Sequence, residues 1–395
     1  MRQWVSFRAV KATVAALALA FTVAACGQSA SSGGGGGGAS ASSSSSTGVT
    51  STSVTFGQTV PYSGPAALYG ESAAGVKAYF AMVNAQGGVH GRKLKLISLD
   101  DQYLPPVAVQ QTRKLIPQEF AEVAVNGSAT TKAVLGVLKP LGIPLVGPQT
   151  GATFLFQNTP SILFNVWPEY TIEGKLLGSF AQKLGLKKVG VLYQNDDFGQ
   201  SLLSGVLASG LKPAKTISYD PSQTDFSPDA QQFKSAGVDG VIILAIPKPT
   251  IAFLNAMAAL NFKPVRIMSQ VSAIPQSFSA APQEFPGSYV GAFIPPLQDT
   301  SNPQVAQFES AMRKYEPGAP ISVFAGWGWT EAQVAVAGLK NVTGKLTRAS
   351  YIKGLESISN LQTLGGTVDY AATGHVGLTK MFIVQARNGQ LRPVG

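Results

Sequence analysis

Few residues of this 395-residue chain could carry covalent chemistry. There is one cysteine, Cys26, and there are two histidines, His90 and His375, too few for a His/Cys zinc cluster. His90 stands in Gly-Gly-Val-His-Gly and His375 in Thr-Gly-His-Val-Gly, settings that read as exposed turns rather than as a base beside a nucleophile. Asp100 and Asp101 could form a carboxylate pair at a strand end, but successive strand residues point to opposite faces and so diverge. The glycine run 33–38 precedes no helix and no phosphate-binding lysine. The patterns G-x-S-x-G, G-x-x-x-x-G-K-[ST] and H-E-x-x-H are absent. No enzyme is expected, and neither a cofactor nor a metal is implied.

Composition describes a chain able to fold. Apolar residues make up 45% and charged residues only 13%, below the roughly 25% charged of an average domain. That is ample apolar surface for a core, and the length suggests about two domains. A single cysteine allows no internal disulfide. The formal charge is +10, but Arg2, Arg8 and Lys11 belong to a leader, which leaves 27 positive charges against 20 negative. These are scattered, with no basic run and no basic–aromatic interleaving, so nucleic acid is not an expected partner.

The leader is legible by itself. A positive start is followed by an unbroken apolar stretch over 12–25, which as a helix would span about 21 Å, short of the roughly 30 Å of a bilayer core. Residues 1–25 therefore read as a secretory signal peptide. The stretch ends Val23-Ala24-Ala25-Cys26, which resembles the bacterial lipobox, whose cysteine is lipidated. Residues 26–53 then read as the lipidated Cys26 and a flexible Gly/Ser linker, reaching about 30 Å from a lipid surface.

From residue 54 onward strand and helix patterns alternate. Strands are expected over 54–62, 93–100, 121–126, 143–146, 188–193, 215–219, 240–244 and 265–268. Helices are expected over 72–84, 107–120, 131–141, 172–184, 200–207, 229–236 and 251–260. Runs such as Val-Gly-Val-Leu-Tyr and Gly-Val-Ile-Ile-Leu are apolar on both faces, as parallel strands covered by helices require. The fold class is α/β with doubly wound lobes, and about 340 residues are too many for one such sheet. Ligands of open α/β sheets lie beyond the carboxyl ends of strands, which gives weight to the polar residues there.

One stretch carries a family likeness. Residues 63–101 contain S-G-P-x-x-x-Y-G, then N-x-x-G-G-V-x-G-R-K-L, then a strand ending Asp-Asp. Farther on come Asn126-Gly-Ser-Ala-Thr-Thr, Gly142-Ile-Pro-Leu-Val-Gly-Pro and Val-Gly-Val-Leu-Tyr-Gln-Asn-Asp-Asp-Phe-Gly at 189–199. In this order and spacing they closely resemble the branched-chain amino acid (Leu/Ile/Val-type) solute-binding proteins of ABC importers, in lipoprotein form.

The resemblance implies a type I periplasmic-binding-protein fold whose two lobes are joined by three crossings. These are expected near Trp167-Pro168, Ile294-Pro295-Pro296 and Gly365-Gly366. Lobe 1 would be 54–167 with 296–365, and lobe 2 would be 168–295 with 366–395. It implies a small ligand held between the lobes, ABC permease subunits as partners, contact with a membrane through the lipid anchor only, and a monomer. A ligand-sensing receptor of the same fold, feeding a membrane signalling protein, is the alternative.

By resemblance, Ser128 at a helix start and the loop of Gln149 and Thr150 would hold a carboxylate. Tyr69 and Phe198 would flank the ligand from opposite lobes, and Trp167 would stand at the hinge. Trp327 and Trp329, ahead of a helix, are expected to pack within a lobe. Gln270 is expected where amino-acid binders place an acid against the ligand's ammonium, and Ile246 where a tyrosine often stands. An amide cannot neutralise a buried ammonium, which is costly to leave unpaired. The expected ligand is therefore a carboxylate or amide without a free ammonium.

Overall fold

Strand Ser53–Val60 (β1) is buried along nearly its whole length, the second strand of a five-stranded sheet. The structure is a computed structural model that describes residues 46–272 and 280–394. Cys26, the leader and most of the expected linker lie outside the described residues.

After β1 come a 3-10 turn, Ala67–Glu71, and helix Ser72–Ala85 (α1), then Lys93–Asp100 (β2), Pro105–Leu115 (α2) and Ala121–Val123 (β3). Ser128–Leu138 (α3), Leu145–Val146 (β4) and Leu163–Phe164 (β5) complete a parallel sheet of order β2-β1-β3-β4-β5. Helix α2 starts earlier than the periodicity implies because Pro105 and Pro106 occupy its first turn, where a missing N–H costs nothing.

The second sheet follows. Its elements are Tyr170–Lys183 (α4), Val189–Gln194 (β6), Asp197–Ala208 (α5), Lys215–Tyr219 (β7), Ser227–Ser235 (α6), Gly240–Leu244 (β8), Pro247–Ala259 (α7), Val265–Met268 (β9) and Tyr289–Ala292 (β10). The chain then returns to the first lobe with Pro303–Tyr315 (α8), Val323–Lys340 (α9) and Arg348–Glu356 (α10). A hairpin of Leu361–Thr363 (β11) and Gly366–Val368 (β12) and a short helix, Tyr370–Thr373 (α11), come next. Phe382–Arg387 (β13) and Gln390–Pro393 (β14) add antiparallel strands to the second sheet, whose order is β14-β13-β10-β9-β8-β6-β7.

Several details depart from the sequence reading. Part of the expected linker is folded: Val49 is buried and bridges Val54, and the Thr55 N–H donates to the Gly48 carbonyl at 2.8 Å. The last crossing comes later than Gly365-Gly366. Residues beyond it still pack on the first lobe, where the Tyr370 hydroxyl donates to the Asn165 carbonyl at 2.8 Å and the Leu378 N–H to the Val166 carbonyl at 2.9 Å. The chain reaches the second sheet only at β13.

His375 is not an exposed turn residue. Its ring stacks on Phe164 with centroids 4.1 Å apart, and its Nδ1 is 2.7 Å from the Leu163 carbonyl oxygen. Trp327 and Trp329 lie inside α9 rather than ahead of it. Trp329 packs on Tyr79 and Phe308, as a lobe-packing residue does.

Candidate functional site

The carboxyl ends of the two sheets face each other, and the segments leaving their strands meet in a cleft. From the first lobe come Tyr69 after β1, Tyr103 after β2, Asn126, Gly127 and Ser128 after β3, Gln149 after β4, and Trp167 after β5. Tyr170 at the start of α4, Phe198 after β6, Ile246 after β8 and Val271 after β9 close the other side. The space they enclose is small, about 250 Å³. None of the lining side chains is an acid, a base or a histidine.

The first-lobe wall is polar and braced from behind. Gly127 precedes α3 with φ of +92°, so Ser128 is the helix's first residue and not its cap. Its hydroxyl pairs with that of Thr150 at 2.7 Å, and Thr150 Oγ1 also accepts from the Ala152 N–H. The first N–H groups of α3 have no partner within the helix and aim toward the cleft, together with the positive end of its dipole. Asn126 Nδ2 donates to Gln149 Oε1 at 3.0 Å, which leaves Asn126 Oδ1 buried without a partner.

A carboxyl group that sequence reasoning missed holds this wall. Glu331 of α9 is fully buried and accepts from Gln149 Nε2 at 2.8 Å and from Trp167 Nε1 at 2.7 Å. Burial drives its pKa well above the ordinary carboxylate range, against the pull of those two donors. Gly147 makes the approach possible: a Cβ there would lie 2.5 Å from Glu331 Cγ.

The opposite wall is aromatic and aliphatic. Tyr170 meets Phe198 edge-on with ring centroids 5.2 Å apart, while on the first-lobe side Trp167 meets Trp327 at 4.6 Å. The lobes touch across the cleft. The Tyr69 hydroxyl donates to the Val271 carbonyl at 3.1 Å, the Thr153 N–H to Ser201 Oγ at 3.2 Å, and Lys132 pairs with Asp197 at 3.0 Å. The last pair is solvent-exposed and contributes little, about 0–1 kcal/mol. This is a closed arrangement.

Of the residues expected at the site, Tyr69, Ser128, Gln149, Trp167, Phe198 and Ile246 line the cavity. Thr150 stands directly behind Ser128. Gln270 is displaced: it opens the short 3-10 turn Gln270–Ser272, and its N–H donates to Glu173 Oε1 at 2.6 Å. The turn directs its side chain to a different cavity and presents Val271 to the cleft. On that strand end the residue lining the cleft is thus a valine and not an amide. Tyr103 and Tyr170 were missed because nothing local distinguishes them from other tyrosines.

Known proteins share this fold. A family model described as periplasmic binding protein matches residues 53–390. A Leu/Ile/Val-binding protein homolog of Brucella abortus is 25% identical over 314 residues, 74% of this chain and 78% of that protein. Among solved structures, a fatty acid ABC transporter substrate-binding protein from Thermomonospora curvata superimposes with a TM-score of 0.81 at 20% identity, over 88% of this chain and 93% of its own. A solute-binding protein of R. palustris solved in complex with benzoate gives 0.77 at 23%, over 87% and 96%.

Proposed function

Because this chain belongs to the periplasmic binding protein family, and is a solute-binding protein of the Leu/Ile/Val-binding type acting outside the cytoplasm, we propose that it delivers a small ligand lacking a free ammonium to an ABC importer. The observation that carries this reading is that, among the described residues, no charged side chain lines the cavity wall. An α-amino acid brings both a carboxylate and an ammonium, and a desolvated ammonium without a counter-charge is penalised by several kcal/mol. The α3 amino terminus and the Ser128 hydroxyl suit a carboxylate or carbonyl oxygen. The unpartnered Asn126 Oδ1 suits an N–H or O–H donor. An aromatic or aliphatic acid or amide meets all of these, its body lying among Tyr69, Trp167, Tyr170, Phe198 and Ile246. Ligands named for the fatty-acid and benzoate-bound neighbours carry no ammonium either.

The test is a thermal-shift panel of amino acids, aromatic and aliphatic carboxylates, and small amides. A ligand at 100 times its Kd stabilises by about 2.7 kcal/mol, a rise of a few degrees for a chain of this size. Shifts confined to ligands without an ammonium are expected. A shift with leucine or valine would overturn the ligand class.

The anchor belongs to the same proposal: a diacyl-type lipid on Cys26 keeps the receptor beside its permease. Cys26→Ser is expected to move the protein from the membrane fraction to the soluble wash while leaving its melting temperature unchanged. Retention of the variant on membranes would rule the anchor out.

A further inference from the structure

Tyr103 stands between two spaces. It lines the inner cavity of the cleft, about 250 Å³, and also an outer recess between the same lobes, with an empty volume of about 1440 Å³ counting its open mouth. Among the described residues no other residue belongs to both walls. The recess takes Pro65, Leu104 and Pro105 from the first lobe and Asp196, Pro221 and Pro249 from the second. The turn after β2 holds Tyr103 there against its own preference. Gln102 and Tyr103 have φ of +57° and +61°, the left-handed region that residues other than Gly, Asn and Asp seldom enter. Asp100 Oδ1 accepts from the Gln102 N–H at 2.9 Å and Asp101 Oδ1 from the Tyr103 N–H at 2.8 Å, so the Asp-Asp pair braces this turn.

The ring lies along Gly127, where a Cβ would be 2.6 Å from Tyr103 Cε2. Across the cleft its hydroxyl is in hydrogen-bond contact with the Gln194 side chain of the second lobe. Gln194 is itself fixed, donating to Asp196 Oδ2 at 2.6 Å and accepting from the Tyr219 hydroxyl at 2.8 Å. Strained backbone persists where its surroundings over-determine it, and ligand clamps are a recurring place for it. We propose that Tyr103 sets the length of the ligand: its ring shuts the inner cavity off from the outer recess, so that a ligand seated at the amino end of α3 must end short of it. This rests on the reading of the cleft as the ligand site. A longer body would have to displace the ring and break the Gln194 contact, or hold the lobes apart. With the ring removed, cavity and recess become one elongated space, and a chain starting at Ser128 can pass residue 103 toward Leu104, Pro105 and Pro249.

The probes are straight-chain series of rising length, n-alkanoates, n-alkanamides and 2-amino acids, titrated calorimetrically into the whole protein. In the parent, affinity should rise with each added carbon and then fall sharply at a limiting length. Tyr103→Gly keeps the left-handed turn without strain and should extend that limit by several carbons. A chain two carbons past the parent's limit should bind this variant about ten-fold tighter than the parent. Tyr103→Phe keeps the ring and should leave the limit where the parent has it. Tyr103→Leu should extend it by less than Tyr103→Gly, and serves alone if the glycine variant does not fold. An unchanged limit in the glycine and leucine variants would overturn the proposal. So would a Tyr103→Phe limit as long as that of Tyr103→Gly, because the hydroxyl contact and not the ring would then be the barrier. If only the 2-amino acids bind, the ligand class proposed above fails, and the limit within that series still decides the role of Tyr103. Silence of all three series in parent and variants would overturn both.

Discussion

Gly328→Val is expected to leave the protein unfolded, or to lower its melting temperature by roughly 10 °C or more. Helices α1 and α9 cross with their backbones in contact. A Cβ at Gly328 would lie 1.9 Å from the Ser72 carbonyl oxygen, and one at Gly75 would lie 1.8 Å from the Ala325 carbonyl oxygen. Neither obstacle is a side chain that can rotate away, so the helices would have to separate. Overpacking a core costs about 1–3 kcal/mol even when flexible side chains can adjust. Here a valine would push apart two helices that also set the cleft, since α1 follows the turn bearing Tyr69 and α9 carries Trp327 and Glu331. A loss of about 4 kcal/mol or more would consume much of a typical stability of about 5–15 kcal/mol.

The control is Gly136→Ala on the exposed side of α3, where a Cβ would meet nothing within 4 Å. It should stabilise by about 0.4–1 kcal/mol through helix propensity and reduced unfolded-state freedom. Circular-dichroism melts distinguish the cases. A Gly328→Val melt within two or three degrees of the parent would show that the helices can part cheaply.

Raising the pH from 5 to 9 is expected to weaken the fold, and Glu122→Gln should remove part of that loss. Glu119 and Glu122 are fully buried in the first lobe, and at Glu122 the Thr112 hydroxyl offsets only part of that burial. Burial pushes both pKa values up. The neighbouring Glu122 charge adds to the rise at Glu119, where Arg348 opposes it, and Asp101 adds at Glu122. Asp101 is itself raised to about 7, chiefly by burial, and Glu173 to about 7 by burial, against hydrogen bonds from the Gln270 N–H and from the Ser269 and Gln270 side chains.

In the unfolded chain these acids titrate near their ordinary values, 3.8 for Asp101 and 4.5 for the glutamates. Above that range the folded state holds more protons than the unfolded one, so stability falls as pH rises. The contribution is complete below pH about 4 and is lost as pH climbs through about 7 and beyond. Each unit of raised pKa is worth about 1.4 kcal/mol, so the loss should amount to several degrees by pH 9. Urea unfolding of the parent and Glu122→Gln at pH 5, 7 and 9 measures it. The variant's curve should be flatter and its midpoint higher at pH 9. Parallel curves would mean that the Glu122 charge is accommodated in the fold.

Strand and helix placement was legible because it rests on local pattern. Val-Gly-Val-Leu-Tyr and Gly-Val-Ile-Ile-Leu are apolar on both faces, and they became β6 and β8, buried between helix layers. The carboxyl-end rule together with the family likeness placed Tyr69, Ser128, Gln149, Trp167, Phe198 and Ile246 at strand exits, where the structure has them. Such positions follow from the order of elements along the chain, which the sequence by itself determines.

What tertiary structure alone decided depends on contacts between distant residues or on single-residue rotations. Tyr103 reaches the cleft from a turn after β2 and Tyr170 from the start of α4, positions set by how those segments pack. Glu331 reaches Trp167 across 164 residues of chain because two glycine-mediated helix contacts bring α9 close beneath the first sheet. The exchange of Gln270 for Val271 at the cleft wall comes from one 3-10 turn, held by a hydrogen bond to Glu173 97 residues away. A rotation of one residue reverses which side chain faces a cavity, and no periodicity in the local sequence records it, because the partner that sets the rotation belongs to another element.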